Sequence, residues 1–151
     1  MALTIEVNDE GSFGEIDRAR LAQGARLVLE EAGIRSGEIS IGVVGDARMQ
    51  ELNRQYLQHD YPTDVLSFVL EHDSDAGLLD GEVIVSAEYA AREAGRYGWT
   101  ADDELLLYVI HGCLHLVGHD DTTPEAKQAM RVAEARFLAS FGLEHRLGEK
   151  G

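Results

Sequence analysis

Apolar and polar residues alternate from Leu3 to Asn8, the two-residue period of a half-buried strand. The period then lengthens. Ile16, Ala19, Leu21, Leu27 and Val28 fall at helical spacing, and the pattern stops at Gly33, which predicts a helix over 16–32 with a glycine cap. Ile39 to Val44 reads as a second strand. Asp46 is placed to cap a helix running to about Leu57, with Met49, Leu52 and Tyr56 on one face. A turn around Pro62 leads into the apolar run VLSFVL (65–70), a buried strand. EHDSDAGLLDG (71–81) is acidic and contains glycine, so it reads as a surface loop, and EVIVS (82–86) follows as a fourth strand.

Ala87 to Tyr97 reads as a helix ended by Gly98. Thr100 with Asp103 is a capping-box pattern for a helix of about Ala101 to Val117, and Gly118 ends it. Thr123 followed by Pro124 opens a last helix to about Phe141. The order is β-α-β-α-β-β-α-α-α. Two adjacent strands after two strand–helix units favour an α+β fold, a mixed four-stranded sheet packed with about five helices. With two prolines, no repeat and no low-complexity tract, residues 1–151 read as one domain.

Composition narrows the function. Hydrophobic residues make up 44% and charged residues 27%, which suits a packed core and argues against disorder. No run approaches the roughly 18 apolar residues of a membrane helix. The opening MALTIEVNDEGSFGEID lacks a basic and an apolar region, so no secretory signal is expected. A single cysteine, Cys113, excludes an internal disulfide. These features point to a cytoplasmic protein. The net charge of −15 argues against a nucleic-acid partner, since phosphate contacts need Lys and Arg. Screening over about 8 Å limits that argument, and a local patch drawn from Arg18, Arg20, Arg26, Arg48, Arg54, Arg92 and Arg96 would offset it.

The chemistry concentrates in His111-Gly-Cys-Leu-His115-Leu-Val-Gly118-His119-Asp120-Asp121. A helix turns about 100° per residue, so His111 and His115 share a face and can aim at one ion. Gly118 lets the chain leave the helix and bring a third ligand back from the loop. Three protein ligands leave a position for water, the arrangement of a catalytic rather than a structural site. A His-x-x-x-His pair alone equally describes two histidines satisfied by hydrogen bonds. The following glycine, and half of the six histidines lying within nine residues, favour a metal. Cys113 points about 200° from His111 and reads as core. His59 and His72, in polar loops, and His145, in the C-terminal tail, read as surface residues.

At this motif the sequence resembles the YbeY family of metal-dependent endoribonucleases. ELLLYVIHGCLHLVGHDD is similar to the family's E-L-x-x-L-x-x-H-G-x-L-H-L-x-G-Y/H-D-H. LNRQYLQHDYPTDVLSF (52–68) resembles its L-N-x-x-Y/F-R-x-x-D-x-P-T-D-V-L-S-F, and GEVIVS (81–86) its G-D-I-x-I-S strand. The resemblance implies a zincin-like metal-binding helix, one zinc ion in a cleft, and hydrolysis of single-stranded RNA. It also implies a part in ribosomal RNA maturation at the small-subunit 3′ end and in ribosome quality control, with ribosome-associated partners. By position the metal role falls on His111, His115 and Asp121, and Thr63, Asp64 and Ser67 become possible cleft residues.

Two positions depart from that pattern. Asp121 stands where the family has its third histidine, with His119 as the competing ligand. A carboxylate at about 2.0–2.2 Å is a competent zinc ligand, although it makes the metal a weaker Lewis acid. Leu57 stands where the family carries an arginine suited to clamping phosphate. Two histidines and a carboxylate also suit Fe, Mn, Co or Ni. Two other functions share the motif: peptide or amide hydrolysis, for which Gly112 replaces the usual general-base glutamate, and non-catalytic ribosome binding by a metal-stabilised fold.

Overall fold

A computed structural model describes residues 2–10, 16–57, 63–96 and 98–144. The elements in chain order are β1 (Leu3–Asp9), α1 (Arg18–Glu31), β2 (Gly37–Val44), α2 (Asp46–Leu57), β3 (Val65–Asp73), β4 (Leu78–Ser86), α3 (Ala87–Ala94), α4 (Ala101–Leu116) and α5 (Pro124–Ala139). The strands form one sheet in the order β1-β2-β4-β3. β1, β2 and β4 run parallel, and β3 pairs antiparallel with β4 at the edge. The fold is therefore the expected α+β arrangement.

The central strands β2 and β4 end in runs buried on both faces because helices cover both sides of the sheet. Ile39, Ile41, Val43, Val83 and Val85 pack with α1, α3, α4 and α5 in the main core. Val44, Leu66 and Ile84 meet Met49 and Leu52 of α2 in a smaller cluster on the other face. α4 is buried nearly all round, from Glu104 to Leu116. Burying one leucine contributes roughly 1.5–3 kcal/mol and an N-cap about 1 kcal/mol, so burial holds α4 in place while its cap fixes where it starts.

Two glycines let α4 sit this deep. A Cβ at Gly24 of α1 would lie 2.7 Å from Leu106 Cδ1, and one at Gly112 would lie 2.6 Å from Val83 Cγ1. The first admits α1 to α4, and the second admits α4 to the sheet.

Several boundaries differ from the sequence reading. The segment 71–81 is mostly strand: Glu71, His72 and Asp73 pair with Asp80, Leu79 and Leu78, leaving only a turn at 74–77. Backbone pairing at an edge needs no apolar side chains, so the acidic composition concealed it. Asp46 is the first helical residue rather than a cap. Its N–H donates to Glu88 Oε1 (2.8 Å), and its carboxylate accepts from Ser86 Oγ (3.1 Å) and Arg92. Tyr56 does not join Met49 and Leu52 in the core but is 57% exposed. The first helix starts at Arg18, where the Asp17 carboxylate accepts the Arg20 N–H (3.0 Å). α3 stops at Ala94, and α5 at Ala139.

Candidate metal centre

The capping box expected at Thr100 and Asp103 is present and sets the start of α4. Eleven and fifteen residues on from Thr100, His111 and His115 emerge half-buried on one face. Their Nε2 atoms lie 3.2 Å apart. The helix then ends in a Schellman turn: His119 N–H donates to Leu114 O (3.0 Å), Gly118 N–H to His115 O (3.1 Å), and Gly118 has φ +106°. Beyond the turn, the Asp120 carboxylate accepts from the Thr122 N–H (3.1 Å) and hydroxyl (2.9 Å). This local bend returns Asp121 to the helix face. One ligand atom from each of His111, His115 and Asp121 lies within 4.8 Å of the others, and the group could hold a metal ion. His119 is not part of this group.

The donor set fits a small divalent ion. Tetrahedral arms of about 2.0–2.2 Å put neighbouring donors about 3.3–3.6 Å apart, close to the imidazole separation seen. The far side of His111 is also organised. Its Nδ1 lies 2.5 Å from Glu134 Oε2. An ionised carboxylate can only accept there, so in its neutral form the His111 ring carries its proton on Nδ1 and leaves Nε2 free towards His115. A carboxylate behind a ligating histidine is the usual outer support of a metal-binding imidazole.

Burial alone would lower the His111 pKa, but the hydrogen bond and charge of Glu134, with the charges of Asp64 and Asp121, outweigh it and hold the ring above its ordinary value. Burial and the neighbouring His111 push His115 down instead. The two rings therefore differ in proton affinity although they share a face.

Glu134 escapes a reading of the sequence. It is buried on α5 among Met130, Ala133, Phe137 and Leu138, where helical spacing asks for an apolar residue. That breach of the pattern is the signal that could have found it.

His111, His115 and Asp121 open on a cleft of about 450 Å³ along β3, which Thr63, Asp64 and Ser67 also line. Ser67 Oγ donates to the Gly112 carbonyl (3.1 Å), tying β3 to α4. Asp64 Oδ1 accepts the Val65 N–H (2.8 Å) and the Thr63 hydroxyl (3.3 Å), which shapes the start of the strand. Position 112 points into the sheet and has no room for a side chain, so a glutamate there could not serve as a general base.

Cys113 is fully buried, and burial pushes its thiol up to about 12. His72 is exposed on β3. His59 and His145 lie outside the described residues, as does the turn at Pro62. Leu57 closes α2. Five of the seven arginines that a basic patch could draw on are paired with carboxylates: Arg20, Arg26, Arg48, Arg92 and Arg96 with Asp103, Glu30, Glu51, Asp46 and Glu93 respectively.

The family model described as Endoribonuclease YbeY matches residues 6–142. The chain belongs to the YbeY family. A relative named Endoribonuclease YbeY from Carboxydothermus hydrogenoformans is 44% identical over 124 residues, covering 82% of this chain and 85% of its own. Another of the same name from Rhodopirellula baltica is 40% identical over 136 residues, covering 87% of this chain and 69% of its own. The fold is similar to a solution structure of a Thermotoga maritima protein, with a TM-score of 0.57 and 26% identity over 91% of both chains. In this YbeY chain the third member of the cluster is a carboxylate, Asp121, held on an exposed loop. Among the described residues, no helix is long and apolar enough to cross a membrane.

Proposed function

We propose that this YbeY chain is a zinc-dependent endoribonuclease of the cytoplasm. It cuts single-stranded RNA in ribosomal RNA maturation, at the small-subunit 3′ end, and in ribosome quality control with ribosome-associated partners. The observation that carries the reading is the convergence of His111, His115 and Asp121 on one open cleft, with Glu134 Oε2 2.5 Å from the outer nitrogen of His111. When bound, a divalent ion supplies a Lewis acid for a phosphate oxygen and brings the pKa of water towards about 7.

The chain's own residues do the positioning. Glu134 holds the proton on His111 Nδ1 so that Nε2 stays available. Ser67 keeps β3 against α4 and so sets the cleft's width. Asp64 and Thr63 shape its entrance. The crowding at Gly112 weighs against peptide hydrolysis, since the glutamate that such enzymes place after the first histidine has no space here.

The deciding experiment incubates the zinc-loaded protein with end-labelled single-stranded and duplex RNA, with and without chelator. The expected result is cleavage of the single strand alone, abolished by chelation and by His111→Ala. Cells relying on the His111→Ala variant should accumulate small-subunit RNA with unprocessed 3′ ends. Failure to cut RNA with any divalent metal, alongside intact ribosome binding, would replace this reading with a non-catalytic one.

A further inference from the structure

The sheet presents a free backbone edge to the cleft. β3 is the outer strand of the sheet and pairs with β4 alone. The Ser86 N–H donates to the Asp64 carbonyl (3.1 Å), and Val65 stands opposite Val85. Hydrogen-bonded and non-bonded pairs alternate along an antiparallel ladder. Asp64, Leu66 and Phe68 therefore turn their backbone groups towards β4. Val65, Ser67 and Val69 turn theirs outward, up to the register shift that follows Val69. The Val65 N–H is taken by Asp64 Oδ1 (2.8 Å). Among the described residues, no hydrogen bond outside the ladder reaches the backbone of Ser67 or Val69.

The cleft follows this edge. Its lining takes in every residue from Thr63 to Val69, together with His111, His115 and Asp121. Side chains on a strand alternate between the two faces, so a cleft that meets consecutive residues runs along the backbone rather than over either face. Val69, at its far end, is 50% exposed. Among the described residues that line the cleft there is no lysine or arginine, while Asp64 and Asp121 are acidic. Beyond the two histidines and an ion they would hold, that lining offers a phosphate no positive side chain. Outward N–H groups remain. Their bonds to an anionic oxygen are charge-assisted, roughly twice as strong as neutral ones.

We propose that the outward backbone of β3 at Ser67 and Val69 is the track for the substrate strand. Their N–H groups donate to phosphate oxygens of single-stranded RNA, and their carbonyls accept from its 2′-hydroxyls. The inference rests on the endoribonuclease reading above and adds how that site holds its substrate. Successive outward groups stand about 6.8 Å apart, close to the step between phosphates of an extended nucleotide strand. The strand backbone of a duplex coils and cannot lie along a sheet edge in this way. The 2′-hydroxyl is the group that tells RNA from DNA at such a contact. A peptide could add to the same edge, but the crowding at Gly112 already weighs against a peptide substrate.

Proline at an edge position whose N–H points outward removes that donor without breaking the ladder. The zinc-loaded intact protein, Val69→Pro and Val69→Ala are compared on a short oligouridylate, with KM and kcat measured separately. Both variants lose the valine side chain, and only the first loses the N–H. Val69→Pro should raise KM by about tenfold, the lower end of what one hydrogen bond to a charged group contributes, with kcat little changed. Val69→Ala should leave KM nearly unaltered. A urea midpoint checks that Val69→Pro is folded. A second measurement needs no variant. The intact protein is given the same strand with 2′-deoxyriboses on either side of the cut nucleotide, whose own 2′-hydroxyl is kept, and KM should rise by about threefold or more. If Val69→Pro does not fold, this arm decides alone. Equal KM for the two variants, or indifference to the deoxyriboses, overturns the inference while RNA cleavage stands. A molar mass by light scattering that falls in Val69→Pro overturns it too, and gives the edge to a second copy of the chain. If the intact protein cuts no RNA, the endoribonuclease reading fails and takes this one with it.

Discussion

His111 Nδ1 and Glu134 Oε2 stand 2.5 Å apart, linking α4 to α5 behind the histidine pair. The contact fixes which imidazole nitrogen is free, and Glu134 is shielded from solvent while doing so.

Glu134→Gln should therefore weaken metal affinity more than it weakens the fold. Outer carboxylates behind ligating histidines contribute about 10- to 100-fold in metal affinity when removed. Titration of the metal-free variant against a competing chelator should show a loss in that range. Unchanged affinity would mean that Glu134 is only a buried structural partner.

The third ligand gives a second prediction. Asp121→Ala should lose most metal binding, Asp121→His should retain it, and His119→Ala should leave it nearly unaltered. The measurement is metal stoichiometry after dialysis against a weak chelator. Loss of the ion on His119→Ala, with Asp121→Ala silent, would move the site to the competing residue.

Gly112 gives a third, on stability. An added Cβ would approach Val83 Cγ1 to 2.6 Å, and Ser67 Oγ and Val65 Cγ2 to 3.1 Å each. Overpacking of this kind destabilises by about 1–3 kcal/mol. Gly112→Ala should lower the free energy of unfolding by that amount, read as a lower urea midpoint at unchanged m-value. Gly95→Ala serves as the control, because nothing lies within 4 Å of its added Cβ.

The fourth concerns acid. Burial alone would raise the Asp103 carboxyl, but hydrogen bonds from the Thr100 N–H (3.1 Å) and Arg20 Nη2 (2.9 Å) outweigh it and hold it below its usual range. An unfolded aspartate titrates near about 3.9, so the stability from this pair is present above that pH and is lost as pH falls through the lower folded value. Asp103→Asn should lower the urea midpoint at neutral pH, and its gap from the unaltered protein should narrow towards about pH 3. A constant gap would show that the carboxylate's charge is not what stabilises α1 against α4.

Much of the architecture was legible because its signals are local. Capping at Thr100 and Thr123, the glycine exit at Gly118 and the spacing of the two histidines each depend on a few neighbouring residues. What escaped depends on residues far apart in sequence. Glu71 to Asp73 are strand because β4 pairs with them, not because of their side chains. Tyr56 has the spacing of a core residue yet stays in solvent. Its partner there is Phe68, across the edge of the sheet. Glu134 supports a histidine 23 positions earlier, a distance that no short motif spans.

The tight seating of α4 has one more consequence. With Gly24 and Gly112 each occupied by a neighbour's side chain at near-contact distance, the helix has no slack along which to slide or turn. The spacing of its two imidazoles is thus inherited from packing and exists before any ion arrives. Asp121 has no such anchor: it sits on an exposed loop past the Schellman turn. Whatever adjusts this centre to a different ion or acidity must act through the loop, because the helix is the part that cannot give.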